Sequence, residues 1–276
     1  MTRRRRIRLT ILATAAVVVT AYALVVRPSN DRDWTPNEAT LPAAEFAGSR
    51  VTLRNVRNTR YLTANGYTTA HYDTTVDLDR LTRVWFVVEP FSDNSPSAHT
   101  FLSFEFSGGP FIAISVEARK ERGEQYNVLK GLFRRYELMY VVADERDVIG
   151  LRTNYRKDAV FLYPMRAAPE RVRALFVAML TRANELREHP EFYNSLTANC
   201  TSTIVRHVNS LAPGTVPFSY RRLLPGYADR LAYDLGLIDT DVSYDSLRPR
   251  FRITAAAQAA GDATDFSTRI RRGLTK

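Results

Sequence analysis

An apolar run at the N-terminus constrains this chain more than any other feature of its sequence. Residues 9–26 contain no charged residue, Gly or Pro, and five arginines lie within the first eight residues. At about 1.5 Å per residue, a helix of this length just spans the ~30 Å hydrocarbon core of a bilayer. Because clustered arginines stay on the cytoplasmic side, everything after Arg27 is predicted to be exported.

The same run is compatible with a retained signal anchor or with a cleaved signal peptide. The Ala-Tyr-Ala triplet at 21–23 has the small-x-small form of a cleavage site. Residues 24–26 continue the apolar run beyond it, and the run exceeds the usual signal-peptide core of about 7–15 residues. We therefore favour a transmembrane anchor at 9–26, which would bind the membrane, after a basic cytoplasmic segment at 1–8.

Composition narrows the function of the exported part. The formal net charge of +10 includes the five leader arginines, which leaves about +5 for the rest of the chain. A mildly basic domain needs no nucleic-acid partner to explain its charge. The single cysteine, Cys200, excludes an internal disulfide, so in an exported protein it is either buried and inert or reactive.

The first half of the exported part has β-type patterns. Residues 27–48, rich in Pro, Asn, Asp and Ala, are expected to form a linker. Runs of alternating or continuous apolar residues then predict seven strands, at 50–56, 84–91, 99–106, 111–117, 137–143, 147–153 and 159–165. Ser107 to Pro110 predicts a hairpin turn between the third and the fourth.

Helical spacing replaces this pattern after residue 168. Three helices are expected, at 169–189, 199–211 and 227–237. The chain from Ala255 is polar and rich in Ala, and is expected to be poorly ordered. The fold class is therefore α+β, an antiparallel sheet followed by packed helices, in a domain at 49–240 with a C-terminal tail at 241–276.

Cys200 lies in the most informative segment of the chain. Thr197 or Asn199 can cap the helix that follows, which places the cysteine in its first turn. A helix N-terminus carries about half a positive charge, which lowers the pKa of a thiol and favours the nucleophilic thiolate. Its free N–H groups can also form an oxyanion hole. The alternative is a small buried residue without reactivity.

A nucleophilic cysteine needs a base, and the chain has four histidines. His207 is two helical turns beyond Cys200, about 10 Å away by the helical rise, and so too far for a hydrogen bond. His189 lies at a helix end, and His71 lies in a polar stretch that any surface could carry. His99 starts a strand, a rigid position from which an imidazole can face a helix N-terminus, and it is our candidate base.

The neighbouring strand supplies the third candidate, Glu117, a carboxylate able to orient the imidazole. A two-residue turn at 108–109 would place Glu117 opposite Thr100 and on the wrong side of the sheet. A bulge, or a loop of three or five residues, would bring Glu117 or Arg119 opposite His99 instead. Without such an irregularity, Glu117 is a solvated surface charge.

Short motifs follow one another along most of the exported part. They are Asp33-Trp34, Asn55 to Asn58 with Tyr61, Ala98-His99-Thr100, Ser115 to Arg119, Glu121, Gly123-Glu124, Asp144 to Asp147, Leu151-Arg152-Thr153, Phe192 to Leu196, Asn199-Cys200-Thr201 and Leu224 to Tyr227. On these residues, the chain from 33 to 238 resembles the Lnb N-terminal periplasmic domain family, which is named from a lacto-N-biosidase and is otherwise of unknown function. The resemblance implies a domain anchored in the bacterial cytoplasmic membrane and facing the periplasm or exterior.

The order of strand histidine, polar residue on the next strand and helix-start cysteine is also similar to that of circularly permuted papain-like thiol enzymes. These include the lecithin–retinol acyltransferase type and cell-wall peptidases. The likeness implies acyl chemistry, in which His99 deprotonates Cys200 and the thiolate attacks an amide or ester carbonyl to form a thioester.

Two functions follow from these patterns. The first is a membrane-anchored thiol hydrolase or acyltransferase with Cys200, His99 and Glu117 as catalytic residues and an envelope peptide, lipid or glycan as substrate. The second is a non-catalytic envelope domain that binds glycans or assists another secreted protein. Glycoside hydrolysis would need paired carboxylates about 5–10 Å apart, and no pair can be singled out. The four histidines show no metal-ligand spacing, so we expect no metal or other cofactor.

Overall fold

The computed structural model describes residues 2–92 and 95–274. The strands are β1 (Ala43–Ala47), β2 (Arg50–Arg57), β3 (Arg60–Tyr61), β4 (Tyr67–Thr68), β5 (His71–Asp77), β6 (Leu81–Pro90), β7 (Ala98–Phe106), β8 (Phe111–Arg119), β9 (Glu137–Asp144) and β10 (Phe161–Pro164). The helices are α1 (Arg3–Val25), α2 (Glu145–Gly150), α3 (Pro169–Glu188), α4 (Cys200–Leu211), α5 (Ala228–Asp234), α6 (Tyr244–Phe251), α7 (Thr254–Ala260) and α8 (Phe266–Arg269). A π-helical turn, Leu151–Arg156, continues α2.

One eight-stranded sheet organises the domain, in the order β1-β2-β9-β8-β7-β6-β10, and β5 also pairs with β2. The pairing is antiparallel except for one parallel contact between β2 and β9. Its central strands, β7, β8 and β9, are almost fully buried. They carry apolar side chains on both faces, which requires a helical layer on each side.

Alternate residues of β7 face the two layers. Leu102 and Phe104 face the larger core, where the ring of Phe104 lies 4.9 Å from that of Phe176 on α3. Phe101 faces a second core that includes Ile149 on α2 and Phe266 on α8. The predicted α+β class is therefore confirmed, with helices on both faces of the sheet.

The expected strand at 147–153 is wrong. Asp144 caps a helix there by accepting a hydrogen bond from the backbone N–H of Arg146, 2.9 Å away. Val148 and Ile149 are buried because the short helix α2 packs against the face of the sheet that carries the second core. The segment 147–153 is therefore apolar although it is helical. A short buried helix and a buried strand have the same apolar signature, which explains the error.

Both ends of the domain are more ordered than the sequence suggests. The expectation of poor order from Ala255 is wrong, because α7 and α8 cover the second face and Ala257 and Phe266 are at most 1% exposed. Alanines on α7 allow close packing where a polar tail was expected. The segment 27–48, expected to be a linker, instead packs against the domain. Trp34 is buried, and every residue of β1 pairs with β2.

Helix α1 lies outside this core, with no buried residue. Within the described part of the chain it is the one helix long and apolar enough to cross a membrane, by length and composition. Its C-terminal end contacts the domain. The hydroxyl of Tyr22 donates to the carbonyl of Phe133 at 2.6 Å, and the Arg134 guanidinium donates to the carbonyl of Ala23 at 3.2 Å.

Candidate active site

Cys200 is the first residue of α4 and is 5% exposed. Of the two caps that the sequence allows, Thr197 and Asn199, the structure uses Asn199. Its side-chain oxygen accepts from the backbone N–H of Ser202 at 2.8 Å, and the Ser202 hydroxyl accepts from the backbone N–H of Asn199 at 2.9 Å. This reciprocal cap fixes the direction of the first turn, and with it the position of the thiol.

His99 faces a carboxylate through one of its ring nitrogens. Its Nε2 lies 2.7 Å from the Ser115 hydroxyl and 3.1 Å from Oε1 of Glu117. The Ser115 hydroxyl donates to the same Glu117 oxygen at 2.8 Å. Because Ser115 uses its hydrogen on Glu117, Nε2 must be the donor to both residues, which leaves Nδ1 as the ring nitrogen available to Cys200.

The length of the β7–β8 hairpin loop brings Glu117 to this position. The loop has three residues, 107–109, with Gly108 in the left-handed region at φ +57°. Extended past its last pair, Phe101 with Ser115, this register places Glu117 opposite His99 on the same face of the sheet, where the two side chains are in contact. Of the two residues that the sequence left open, Glu117 and Arg119, it is therefore Glu117 that faces the imidazole.

The thiol and the imidazole approach from opposite faces of the sheet. Pairing between β7 and β8 ends at Phe101 and Ser115, although both strands continue. The backbone N–H of Thr100, freed from that ladder, and the His99 imidazole both lie close enough to the Cys200 thiol to lower its pKa. Because the pairing ends here, Cys200 on α4 can approach His99, whose side chain lies on the other face of the sheet.

A buried arginine holds the carboxylates around the histidine. Arg152, on the π-helical turn, donates through Nε to Glu89 at 2.5 Å and through Nη2 to Glu117 at 3.3 Å. Its guanidinium also lies 5.1 Å from the centre of the Phe101 ring, which stacks on His99. Arg152 and Glu89 are both at least nine-tenths buried, so the position of Glu117 depends on a buried ionic network.

Charges in the site favour an ion pair between thiol and imidazole. Burial disfavours a charged imidazole, but the Glu117 carboxylate and the hydrogen bond with Cys200 raise the pKa of His99 to about 9. Burial likewise raises the pKa of the Cys200 thiol, but the contacts with His99 and Thr100 outweigh it and lower that pKa overall. The pKa of Glu117 is held well below its usual range, against its burial, by His99 and Arg152.

Tyr193 is a further polar group beside the thiol. Burial raises the pKa of its phenol, and the negative charge of Cys200 raises it further. The hydroxyl lies 3.3 Å from that of Tyr126. A phenol that stays protonated next to a thiolate is a potential hydrogen-bond donor to charge that develops there.

A large apolar cavity of about 590 Å³ begins one residue beyond Cys200. The Thr201 hydroxyl, at the boundary, lies 3.9 Å from the Cys200 sulfur and 2.9 Å from the Thr100 hydroxyl. The lining includes Thr201, Ile204, Val205, Val208 and Leu211 of α4, Val172 and Leu175 of α3, Phe86 and Leu102 of the sheet, and Ala228 and Leu231 of α5.

The remaining three histidines are not assigned to this site. Nε2 of His207 lies 2.6 Å from the Tyr140 hydroxyl, and burial lowers the pKa of His207 to about 4. His189 ends α3, and His71 begins β5 opposite Arg57. Among the described residues, no group of three or more His, Cys, Asp or Glu side chains is arranged to hold a metal ion.

Sequence reasoning assigned no role in the site to Ser115, Thr100, Arg152 or Tyr193, although all four lie in the motifs that carry the family resemblance. Ser115 and Glu117 are two residues apart on one strand and so share a face, a signal that could have paired them. Arg152 lies in the segment assigned to a strand, so no spacing in the sequence brought it near His99. Thr100 lies near the Cys200 thiol because the pairing between β7 and β8 ends before it, and no sequence pattern marks the end of that pairing.

Comparison with known proteins places these residues in a family. Residues 68–226 match the family model described as the Lnb N-terminal periplasmic domain. The match covers more than half of the chain and includes His99, Glu117 and Cys200. No curated protein and no solved structure matches the chain. The family resemblance predicted from the sequence is confirmed, and the similarity to papain-like enzymes stays a prediction.

Proposed function

The chain belongs to the Lnb N-terminal periplasmic domain family, and we propose that it is a cysteine-dependent hydrolase or acyltransferase of the cell envelope. The family and the apolar helix α1 indicate a membrane-anchored periplasmic domain. Retention of α1 in the bacterial cytoplasmic membrane is part of the proposal. The catalytic residues proposed are Cys200 as nucleophile, His99 as general base and acid, and Glu117 as the group that orients the imidazole.

One observation carries the proposal: a helix-start thiol interacts with an imidazole whose Nε2 lies 3.1 Å from a carboxylate oxygen. A structural cysteine packed among apolar side chains has a raised pKa, because burial disfavours the thiolate. Here the opposite holds, since His99 and Thr100 lower the pKa of Cys200 despite burial. A buried group whose pKa is shifted by a specific charge partner is typical of functional sites.

The proposed reaction has two halves. The Cys200 thiolate attacks a carbonyl carbon, forming a C–S bond, and the carbonyl oxygen takes the negative charge. The tetrahedral intermediate collapses with loss of the amine or alcohol, which takes its proton from the His99 imidazolium. Water or another acceptor then gives a proton to neutral His99 and attacks the thioester, and Cys200 leaves as the thiolate.

Donors for the oxyanion are available at the start of α4. The Ser202 and Thr203 N–H groups donate to Asn199, which leaves the backbone N–H groups of Cys200 and Thr201 as the proposed donors to the oxyanion. The Tyr193 hydroxyl, which interacts electrostatically with the thiol, is proposed as a second donor. The removal of one such donor typically slows an enzyme by about 10²–10³-fold.

The test is to trap the acyl-enzyme. The full-length protein, in detergent, is incubated with p-nitrophenyl acetate, quenched in acid and weighed intact by mass spectrometry. We expect one added acetyl group on Cys200 in the wild type and none in Cys200→Ala. Unmodified wild-type protein at every time point, with no release of p-nitrophenol above the Cys200→Ala background, would overturn the proposal in favour of a non-catalytic envelope domain.

A further inference from the structure

We propose that the apolar cavity beside Cys200 is an acyl-chain pocket, so that the substrate is an ester or amide of a long-chain fatty acid. This inference rests on the proposed function, because the chain would be held with its carbonyl carbon at the Cys200 sulfur. It selects a lipid from the three substrate classes, peptide, lipid and glycan, that the sequence left open.

The cavity is adjacent to the reactive group at one end and reaches the surface at the other. Thr201 lines its inner end, 3.9 Å from the Cys200 sulfur. At the outer end the lining includes exposed residues: Ala167 and Ala168 before α3, and Leu211, which is 40% exposed. A chain that entered between α3 and α4 would therefore extend inwards to Thr201, the neighbour of Cys200.

The length of the cavity matches a fatty acyl chain. Lining residues recur every three to four positions along one face of α4, from Thr201 to Ala212. At about 1.5 Å per residue, this stretch is about 16 Å long. An acyl chain in one leaflet of a bilayer spans about half of the ~30 Å hydrocarbon core, which is the same length.

The chemistry of the lining excludes the other two classes. Peptides and glycans carry polar groups that must find hydrogen-bond partners when they leave water. Of the polar side chains in the lining, Thr201 and Thr215 are small hydroxyls, and Arg166 and Arg171 are exposed at the surface. The interior therefore offers alkyl contacts almost throughout, which suits a hydrocarbon chain.

The size of the cavity argues for an occupant. Protein interiors are close-packed and hold few voids larger than a water molecule. Ligand pockets have volumes of about 300–1,000 Å³, and this cavity lies within that range. Its lining includes residues of the main core and of a small second apolar cluster, Val205, Val216 and Leu231, so closer packing of the two clusters would have filled it.

The experiment compares esters that differ only in chain length. Full-length protein in amphipol hydrolyses p-nitrophenyl butyrate and p-nitrophenyl laurate, and kcat/KM is measured for each. The wild type is expected to prefer laurate at least tenfold. Val208→Trp, which fills the middle of the cavity, is expected to lower kcat/KM for laurate at least tenfold and so to abolish this preference. Leu62→Trp is the control, because Leu62 is 83% exposed and lies outside the lining.

The outcomes separate this inference from the proposed function. If the wild type acts equally on both esters and Val208→Trp leaves the ratio unchanged, the acyl pocket is refuted while the thiol chemistry stands. If Val208→Trp lowers the melting temperature, Ala212→Phe at the open end replaces it and must give the same loss of preference. If neither ester is hydrolysed, the acyl pocket is tested by binding of the fluorescent fatty acid cis-parinarate. The pocket is supported if this fatty acid binds the wild type and binds Val208→Trp at least tenfold more weakly, and it is refuted otherwise.

Discussion

His99 and Glu117 lie opposite each other on neighbouring strands, with Nε2 of the histidine 3.1 Å from Oε1 of the glutamate. The contact depends on the length of one hairpin loop, because a loop with one residue fewer would turn Glu117 to the other face of the sheet. It also depends on Arg152, whose guanidinium contacts the same Oε1 atom. The geometry of the proposed catalytic groups is therefore set by the sheet register and by a buried ion pair.

Loss of the Glu117 charge is expected to lower the reactivity of Cys200. In Glu117→Gln the imidazolium loses the carboxylate that raises the pKa of His99, so less of the thiolate–imidazolium pair forms at pH 7. Each unit by which that pKa falls corresponds to a factor of ten, so we expect the rate of alkylation by iodoacetamide to fall about tenfold or more. Glu45→Gln, at an exposed position on β1, is the control and should react like the wild type.

Arg152→Met is expected to destabilise the fold by about 3–5 kcal/mol, because it leaves the buried Glu89 carboxylate with only the longer contact to Arg156, at 3.7 Å. The free energy of unfolding, measured by urea titration, checks this. Glu89→Gln combined with Arg152→Met should recover part of the loss, since the double variant buries no unpaired charge at residue 89. A double variant as unstable as the sum of its single variants would show that the two side chains do not act as a pair.

Acid is expected to remove the stability that Glu117 contributes. Its folded pKa lies well below the ordinary value of 4.5, so below pH 4.5 the unfolded chain binds a proton that the folded chain does not. The contribution is therefore complete above pH 4.5 and is lost as the pH falls towards the folded pKa. Urea titrations between pH 3 and pH 6 should give a steeper loss of stability on acidification for the wild type than for Glu117→Gln.

Gly226→Ala is expected to disturb the start of β7. A Cβ at this position would collide with the carbonyl oxygen of Ser95, and the Gly226 N–H donates to the carbonyl of Pro96 at 2.9 Å. The collision would displace the segment that leads into His99. Gly150→Ala is the matched control, because nothing lies within 4 Å of its new Cβ. Thermal melting should show a clear loss for Gly226→Ala and little change for Gly150→Ala.

Much of this arrangement follows from sequence patterns. The capped helix at Cys200, the strand that begins near His99 and the leader at 9–26 all follow from local rules of capping, alternation and hydropathy. These rules operate over a few residues, and the side chains they depend on are adjacent in the chain. The candidate nucleophile and base could therefore be named without knowledge of the fold.

The rest depends on contacts between distant segments. Glu117 could be assigned only once the loop length was known, and the role of Arg152 depends on a helix whose apolar residues resembled a strand. The helices after Ala255 have weak amphipathic signals because alanine suits both close packing and disordered segments. The cavity, too, is formed by residues of α3, α4, α5 and the sheet, so no single stretch of sequence encodes it.

The pH dependence of Cys200 alkylation tests the central claim most directly. If Cys200 and His99 form a thiolate–imidazolium pair, the rate with iodoacetamide should stay nearly constant from pH 6.5 to 8. It should change only as His99 loses its proton near pH 9, and His99→Ala should abolish the plateau. A wild-type rate that rises about tenfold per pH unit over that range, as for an ordinary thiol with a pKa near 8.5, would contradict the account.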